Sequence, residues 1–412
     1  MAAVRPFKAL RPTPESAARV ASVPYDVVST EEARELASGN PLSFLRVTRS
    51  EIDFPAGADP YADAVYAKAR ATLDELRAAA PLVSEEAPAV YFYRLRMGDH
   101  EQTGVCACFS VDEYDRDLIK KHEKTRRDKE DDRTRHIVET RAQTGVVFLT
   151  YRAQASIDRL EAAACRAEPL FDITAPDGVR HQIWKVSGGG AQAVVDAFAK
   201  VPALYIADGH HRAASAARAR TQLRTLAPSN AEPSNRETDW FIAVAFPDNQ
   251  MQILPYHRLV KDLAGFSSTE EFLEKLSLRV GVTAGTAVPS GRGRVSMYLK
   301  GAWHELDLRA LSPASADPAD GLDVALLEHH VLRELLGVHD VRTDKRIDFV
   351  GGIRGTGELE ARVNSGKAAV AFAMHPVTID DLMTVSDTGG IMPPKSTWFE
   401  PKLRDGLLVH EI

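Results

Sequence analysis

Cysteine is scarce here: Cys106, Cys108 and Cys165 are the three in 412 residues. An odd, low count in a long chain excludes a disulfide framework as the organising device of the fold. Cys106 and Cys108 alternate within Cys-Ala-Cys-Phe-Ser, and at strand spacing this puts both on one face, as small core side chains rather than soft metal ligands. Long apolar runs are missing too. None approaches the roughly 20 residues that span a bilayer, and the Met-Ala-Ala-Val-Arg-Pro-Phe start lacks a signal-peptide apolar stretch. A cytoplasmic protein with no membrane partner is therefore expected. Nor is there an excess of positive charge: 51 Lys plus Arg stand against 58 Asp plus Glu, a formal charge of -7. Such a field does not favour polyanions, and without a helix-turn-helix candidate no nucleic-acid partner is expected. The phosphate loop Gly-x-x-x-x-Gly-Lys-Ser/Thr, the Gly-x-Ser-x-Gly elbow and the protein-kinase catalytic loop are all absent. Nothing in the sequence specifies an oligomeric state.

What is present is ordinary globular material, 44% hydrophobic and 26% charged, enough for two or three domains. Ser29-Thr-Glu-Glu32 predicts a helix start and a short helix to about Ser38. Asn40-Pro41 stops it, and Leu42 to Val47 reads as a strand. Residues 61 to 79 predict an amphipathic helix, and Ala89 to Arg96 with Gln102 to Ser110 an antiparallel hairpin. After a charged helical segment, strands are expected over 146–151 and 182–186, with helices over 156–166 and 191–200. Ala203 to Ala207 forms a short strand that runs into Asp208-Gly209 and then an alanine-dense helix from about His211 to Leu223. Ala227 to Glu237 reads as a mobile loop and Trp240 to Phe246 as a strand. From about Leu263 the pattern changes, with a hairpin across Gly301, a helix over 324–336, strands over 347–350 and 368–374, and a short helix over 378–384. Mixed α/β architecture follows, with no internal repeat.

Three segments could carry chemistry. In Asp208-Gly209-His210-His211-Arg212 a strand ends in a turn where glycine permits close backbone approach, and a helix begins with unpaired amides and its positive dipole end in the same space. Arg212 adds a planar fork for phosphate or carboxylate; Asp208 could hold a hydroxyl, an amine or a metal; His210 and His211 could donate to phosphate. The plainer alternative is a helix cap with two surface histidines. The second segment, Lys120 to His136, offers Glu123 as a general base beside His122, with Lys124, Lys129, Arg133 and Arg135 to neutralise phosphate; a solvated helix face is the alternative. His122-Glu123 is not a zincin signature, because Arg126 stands where the second histidine would be. The third, Met392 to Lys402, places Lys395, Ser396 and Thr397 after two stiff prolines, one ammonium and two hydroxyls for an anionic ligand. Val23-Pro-Tyr-Asp-Val27 could frame a pocket wall.

With its Pro-Tyr-Asp-Val start, its His-Glu segment, Asp208 to Arg212 and its Pro-Pro-Lys-Ser-Thr ending, the chain resembles the DUF1015 family over nearly its whole length. The Asp-Gly-His-His-Arg turn is also similar to that of the ParB/sulfiredoxin-like superfamily, and above all of the free L-serine kinases, where three blocks like His122-Glu123, Asp208 to Arg212 and Pro394 to Thr397 occur in the same order. The resemblance implies a ParB-like catalytic core over 101–262, an added α/β region over 1–100, a smaller α/β domain over 263–365 and a strand and loop over 366–412 that return to the active-site cleft. It implies a kinase that makes O-phospho-L-serine with Mg2+ and ATP or ADP, pyrophosphate being a third donor to test. Glu123 would take the hydroxyl proton and Asp208 would hold the metal, with His211 completing the catalytic group. Gly209, His210, Arg212, Lys129 and Arg133 would bind the nucleotide phosphates; His122, Lys395, Ser396 and Thr397 would hold the amino acid. A ParB-type nucleotide switch and a metal-dependent phosphohydrolase stay open. The chain departs from the compact kinases in its N-terminal region and in extra sequence between the first two blocks.

Overall fold

A computed structural model describes residues 2–226, 236–263, 265–311 and 317–412. The fold is mixed α/β, and the chain forms two compact units where four consecutive segments were expected. One unit comprises residues 1–121, 125–251 and 401–412, the other residues 122–124 and 252–400. The partition differs for a topological reason: Ala89–Met97 and His100–Ser110 are neighbours in one sheet, so no boundary falls at residue 100. The last 47 residues also divide, because Val370–Ala373 joins the sheet of the second unit and Val409–Glu411 a sheet of the first.

The first unit is built on a nine-stranded mixed sheet. Its path runs Ile119–Lys120, Leu204–Asp208, Val147–Tyr151, Trp240–Pro247, His100–Ser110, Ala89–Met97, Arg180–Ser187, Phe171–Thr174, with Val4–Arg5 paired to His100–Ser110. The central strands are nearly continuous apolar runs, as expected where both faces are covered. Val105, Ala107, Phe109, Leu149, Ile206 and Phe241 belong to its main core. Cys106 and Cys108 are buried as expected, and burial pushes both thiols up, so they pack as inert small groups. A second, four-stranded sheet of Leu82–Ser84, Ala9–Pro12, Val409–Glu411 and Ala142–Gln143 anchors the C-terminus in this unit.

The helix Thr30–Leu36 starts as predicted: the Ser29 side chain accepts from the Glu32 amide and the Glu32 carboxylate accepts from the Ser29 amide. Ser29→Ala should cost about 1 kcal/mol, read as a lower urea midpoint at unchanged slope; an unchanged midpoint would show that this cap contributes nothing. Leu42 to Val47 is not a strand. Leu45–Thr48 is helical, with Phe44, Leu45 and Val47 all buried, and a short apolar run buried on more than one face has no period that separates helix from strand.

In the second unit a six-stranded antiparallel sheet runs Gly281–Ala284, Ala302–Asp307, Arg294–Leu299, Val370–Ala373, Tyr256–Val260, Ile347–Gly351. Gln252–Leu254 and Trp398–Glu400 form a separate two-stranded ribbon. The helix expected over 324–336 is α-helical over Asp323–Leu327 and π-helical over Glu328–Arg333. The expected loop at 227–237 lies, up to residue 235, outside the described residues. Among the described residues no helix is long and apolar enough to cross a membrane.

Candidate functional site

The sharpest junction in the sequence is built as predicted. The strand Leu204–Asp208 pairs with Val147–Tyr151, with an irregularity between Ile206 and Asp208 that turns the strand end. Gly209 follows at φ +93°, and the helix His210–Leu226 begins at once. Glycine is required twice over here: few side chains tolerate that backbone, and an added Cβ would stand 2.9 Å from the Arg212 Nε. Gly145 is the matching small residue opposite, its position 3.1 Å from the Arg212 Cδ if a Cβ were added.

Arg212 is buried, with 7% of its surface exposed. One terminal nitrogen donates to the Val146 carbonyl; the other stands 3.4 Å from Asp208 Oδ1 and 3.4 Å from Asp26 Oδ2. Lys402 closes the arrangement, its Nζ donating to Asp208 Oδ2 at 2.9 Å. Each oxygen of Asp208 thus faces its own cation. Burial would raise the Asp208 pKa, but Lys402 and Arg212 outweigh it, with help from His210, and hold the carboxyl well below the usual range. Asp405 is fully buried in the same group. Burial pushes its carboxyl up to about 7, with the Arg212 charge opposing the shift and Asp26 adding to it. Behind Arg212 a small cavity lined by Tyr25, Arg133, His136 and Thr144 has room for water and not for a nucleotide.

The remaining predicted residues of this unit are placed as follows. His210 is buried, and His211 accepts at Nε2 from the Arg126 amide at 2.9 Å, which puts the proton of a neutral ring on Nδ1. Arg133 is taken up locally: it donates to Asp132 at 2.9 Å and to the Thr48 carbonyl at 3.1 Å, and its guanidinium lies 4.3 Å from the centre of the Tyr25 ring. Lys129 donates to the Tyr61 hydroxyl at 3.2 Å. Arg135 donates to Asp63 at 2.5 Å.

His122, Glu123, Lys395, Ser396 and Thr397 belong to the second unit, where the His122 carbonyl accepts from the Met392 amide at 2.8 Å. The His-Glu segment and the C-terminal loop are therefore tied together, although some 270 residues separate them. The loop is held from below. Buried Arg258 donates to the Pro394 carbonyl at 3.3 Å, and the Ser396 hydroxyl donates to the Pro393 carbonyl at 2.6 Å. Between them Lys395 takes the left-handed backbone at φ +58°, uncommon for a residue with a side chain and typical of sites where the surroundings impose it. Its ammonium stands 5.5 Å from the Tyr256 ring centre.

Sequence reasoning missed Lys402, Asp405 and Arg258, and treated Asp26 only as part of a wall. Lys402 stands at the end of the Met392 to Lys402 cluster, but no local pattern marks it as the partner of Asp208, 194 residues away.

No curated protein matches the chain. Similar solved structures include a conserved hypothetical protein from Pyrococcus furiosus, at 13% identity and TM-score 0.35 over 74% of this chain and 94% of that one. SbnI with C-terminal truncation from Staphylococcus aureus is similar at 13% identity and TM-score 0.39, over 74% and 86%. A free serine kinase in complex with AMP is similar at 12% identity and TM-score 0.36, over 74% and 91%. The family described as "Protein of unknown function (DUF1015)" matches residues 4–325, and the chain belongs to that family.

Proposed function

We propose that the chain is a phosphotransferase that moves a phosphoryl group from a nucleotide, ATP or ADP, to the hydroxyl of a free amino acid, L-serine first. The observation that carries this reading is the Asp208 carboxylate clamped between Lys402 and Arg212 at the start of the His210–Leu226 helix. Phosphoryl transfer asks little covalent chemistry of a protein and much placement of charge, and two cations beside a helix N-terminus and an ionised carboxylate are parts of that kind. An arriving polyphosphate offers Lys402 and Arg212 three or more anionic oxygens in place of one shared carboxylate. Asp208 is then free to turn an oxygen outward.

That carboxylate suits magnesium, a hard cation bound through one or two carboxylates together with substrate phosphates. Asp208 would hold the ion, which when bound supplies charge neutralisation on the transferred group. The phosphates would lie on the amides of Gly209 to Arg212 and on Arg212 and Lys402. For the acceptor, Glu123 would take the hydroxyl proton, while His122 and Lys395 to Thr397 would hold the amino and carboxyl groups.

The test is mass spectrometry of an amino-acid mixture incubated with magnesium and, separately, ATP, ADP or pyrophosphate. The reading expects phosphoserine with one of the two nucleotides; donor hydrolysis with no phosphorylated acceptor would replace it with a nucleotide switch or a phosphohydrolase. Glu123→Gln should lower transfer by at least about a hundredfold while nucleotide still binds. Retained turnover in that variant would remove Glu123 as the base.

A further inference from the structure

The second unit carries a cluster outside the phosphotransfer reading. Glu328–Arg333 is a π-helical turn containing His329 and His330, and Glu334 follows it with helical backbone. The widened bonding continues downstream, with the Leu336 amide on the Val331 carbonyl at 3.0 Å and the Val338 amide on the Leu332 carbonyl at 2.8 Å. In an α-helix residues three and four apart share a face, so His329 and Glu334, five apart, would diverge. A π-helical turn takes more residues to come round, which brings residues five apart closer to one face. His329 and His330, neighbours in sequence, therefore both flank Glu334, and one ring nitrogen from each histidine and one Glu334 oxygen all lie within 4.8 Å of one another.

We propose that His329, His330 and Glu334 form a binding site for a divalent transition-metal ion. The His329 Nε2 stands 3.3 Å from Glu334 Oε1. Two donors bound to one ion through bonds of about 2.0–2.2 Å at the tetrahedral angle are roughly 3.3 Å apart, so this edge of the coordination polyhedron already has its bound length. One supporting contact is also of the kind that orients a metal ligand. Arg279 pairs with the second oxygen of Glu334 and so holds the carboxylate with Oε1 toward the histidines.

Two imidazoles and one carboxylate select zinc, cobalt, nickel or copper over magnesium or calcium, which take oxygen donors. Three protein ligands leave a fourth position open to water or to a group from elsewhere. The site is independent of the Asp208 cluster, and its occupancy is a separate question from phosphotransfer.

The experiment uses the full chain after removal of metals with a chelator, titrated with Zn2+ in competition with a chromophoric chelator and, in parallel, with Co2+ followed by visible absorption. One equivalent of Zn2+ should bind that His330→Ala and Glu334→Gln each weaken at least about tenfold, and Co2+ should show the intense absorption of low-coordinate nitrogen and oxygen ligation. Circular dichroism of each variant shows that the fold is kept. The double variant His329→Ala/His330→Ala should lose that equivalent altogether and leave magnesium-dependent nucleotide binding unchanged. Zinc stoichiometry and affinity equal to those of the unchanged chain in the double variant, or no uptake of either metal by the unchanged chain, would overturn the proposal.

Discussion

Replacing Arg212 with alanine should remove nucleotide binding and cost the fold about 3–5 kcal/mol, the range for breaking a buried ion pair by deleting one partner. The guanidinium is the common partner of Asp26, Asp208 and the Val146 carbonyl, with Asp405 close enough to feel its charge. Without it Asp26, Asp208 and Asp405 lose the positive charge they share, while Lys402 remains on Asp208. The cost is thus mainly that of stranded negative charge, and a second substitution can show this. Asp26→Asn in the Arg212→Ala background should restore part of the lost stability, whereas two changes that act independently would add. Arg212→Lys should recover less than a like-for-like charge suggests, because one ammonium cannot reach three acceptors in separate directions. Urea midpoints for the four proteins and calorimetric nucleotide titrations for the single variants check the argument. An Arg212→Ala protein within about 1 kcal/mol of the parent, binding nucleotide equally well, would assign Arg212 neither role.

This network shows where sequence reading succeeds and where it stops. The turn at Asp208 was legible because every contribution is local: a strand period that ends, a glycine where the backbone must turn, an alanine-rich helix beyond. The Ser29 cap and the two hairpins were legible for the same reason. The place of Arg212 in the first turn of the helix was legible too, but its neighbours were not. Asp26 comes from the N-terminal region, and Lys402 and Asp405 arrive because Val409–Glu411 pairs with Ala9–Pro12 and Ala142–Gln143, a pairing between opposite ends of the chain that no periodicity announces. Leu42 to Val47 failed differently, since Phe44 and Leu45 are both buried and the alternation that separates strand from helix is absent. The π-helical turn at 328–333 failed for a third reason. Apolar spacing over 324–336 is compatible with a helix in general, and the one extra residue per turn leaves no mark in composition.

Asp405→Asn should change how stability depends on pH, in a window set by a single buried carboxyl. An Asp405 pKa of about 7 in the folded chain, against an ordinary value of 3.8, means that the folded state holds this proton more tightly than the unfolded state. Below about pH 4 the group is protonated in both states and contributes no difference. Between about pH 4 and 7 the unfolded chain releases the proton first, so each step upward in pH favours unfolding; above about 7 the penalty is complete and constant. Its full size is of the order of 4 kcal/mol, a net figure in which Arg212 already offsets part of the burial cost and Asp26 adds to it. The buried histidines His136 and His181, both held down to about 3 chiefly by burial, act in the opposite sense. They stay neutral in the fold while the unfolded chain protonates them below about 6.5, so their contribution grows as pH rises from about 3 to 6.5. The net curve of the unchanged chain therefore hides the Asp405 contribution, and the difference between two proteins exposes it. Asparagine keeps nearly the same shape and cannot ionise. Relative to the parent, Asp405→Asn should gain stability progressively from pH 4.5 to pH 7.5 and then run parallel to it. Urea midpoints at half-unit steps of pH would show this, and a difference that stays flat across the interval would mean that Asp405 is ionised in the fold throughout, with Arg212 as its effective counter-ion.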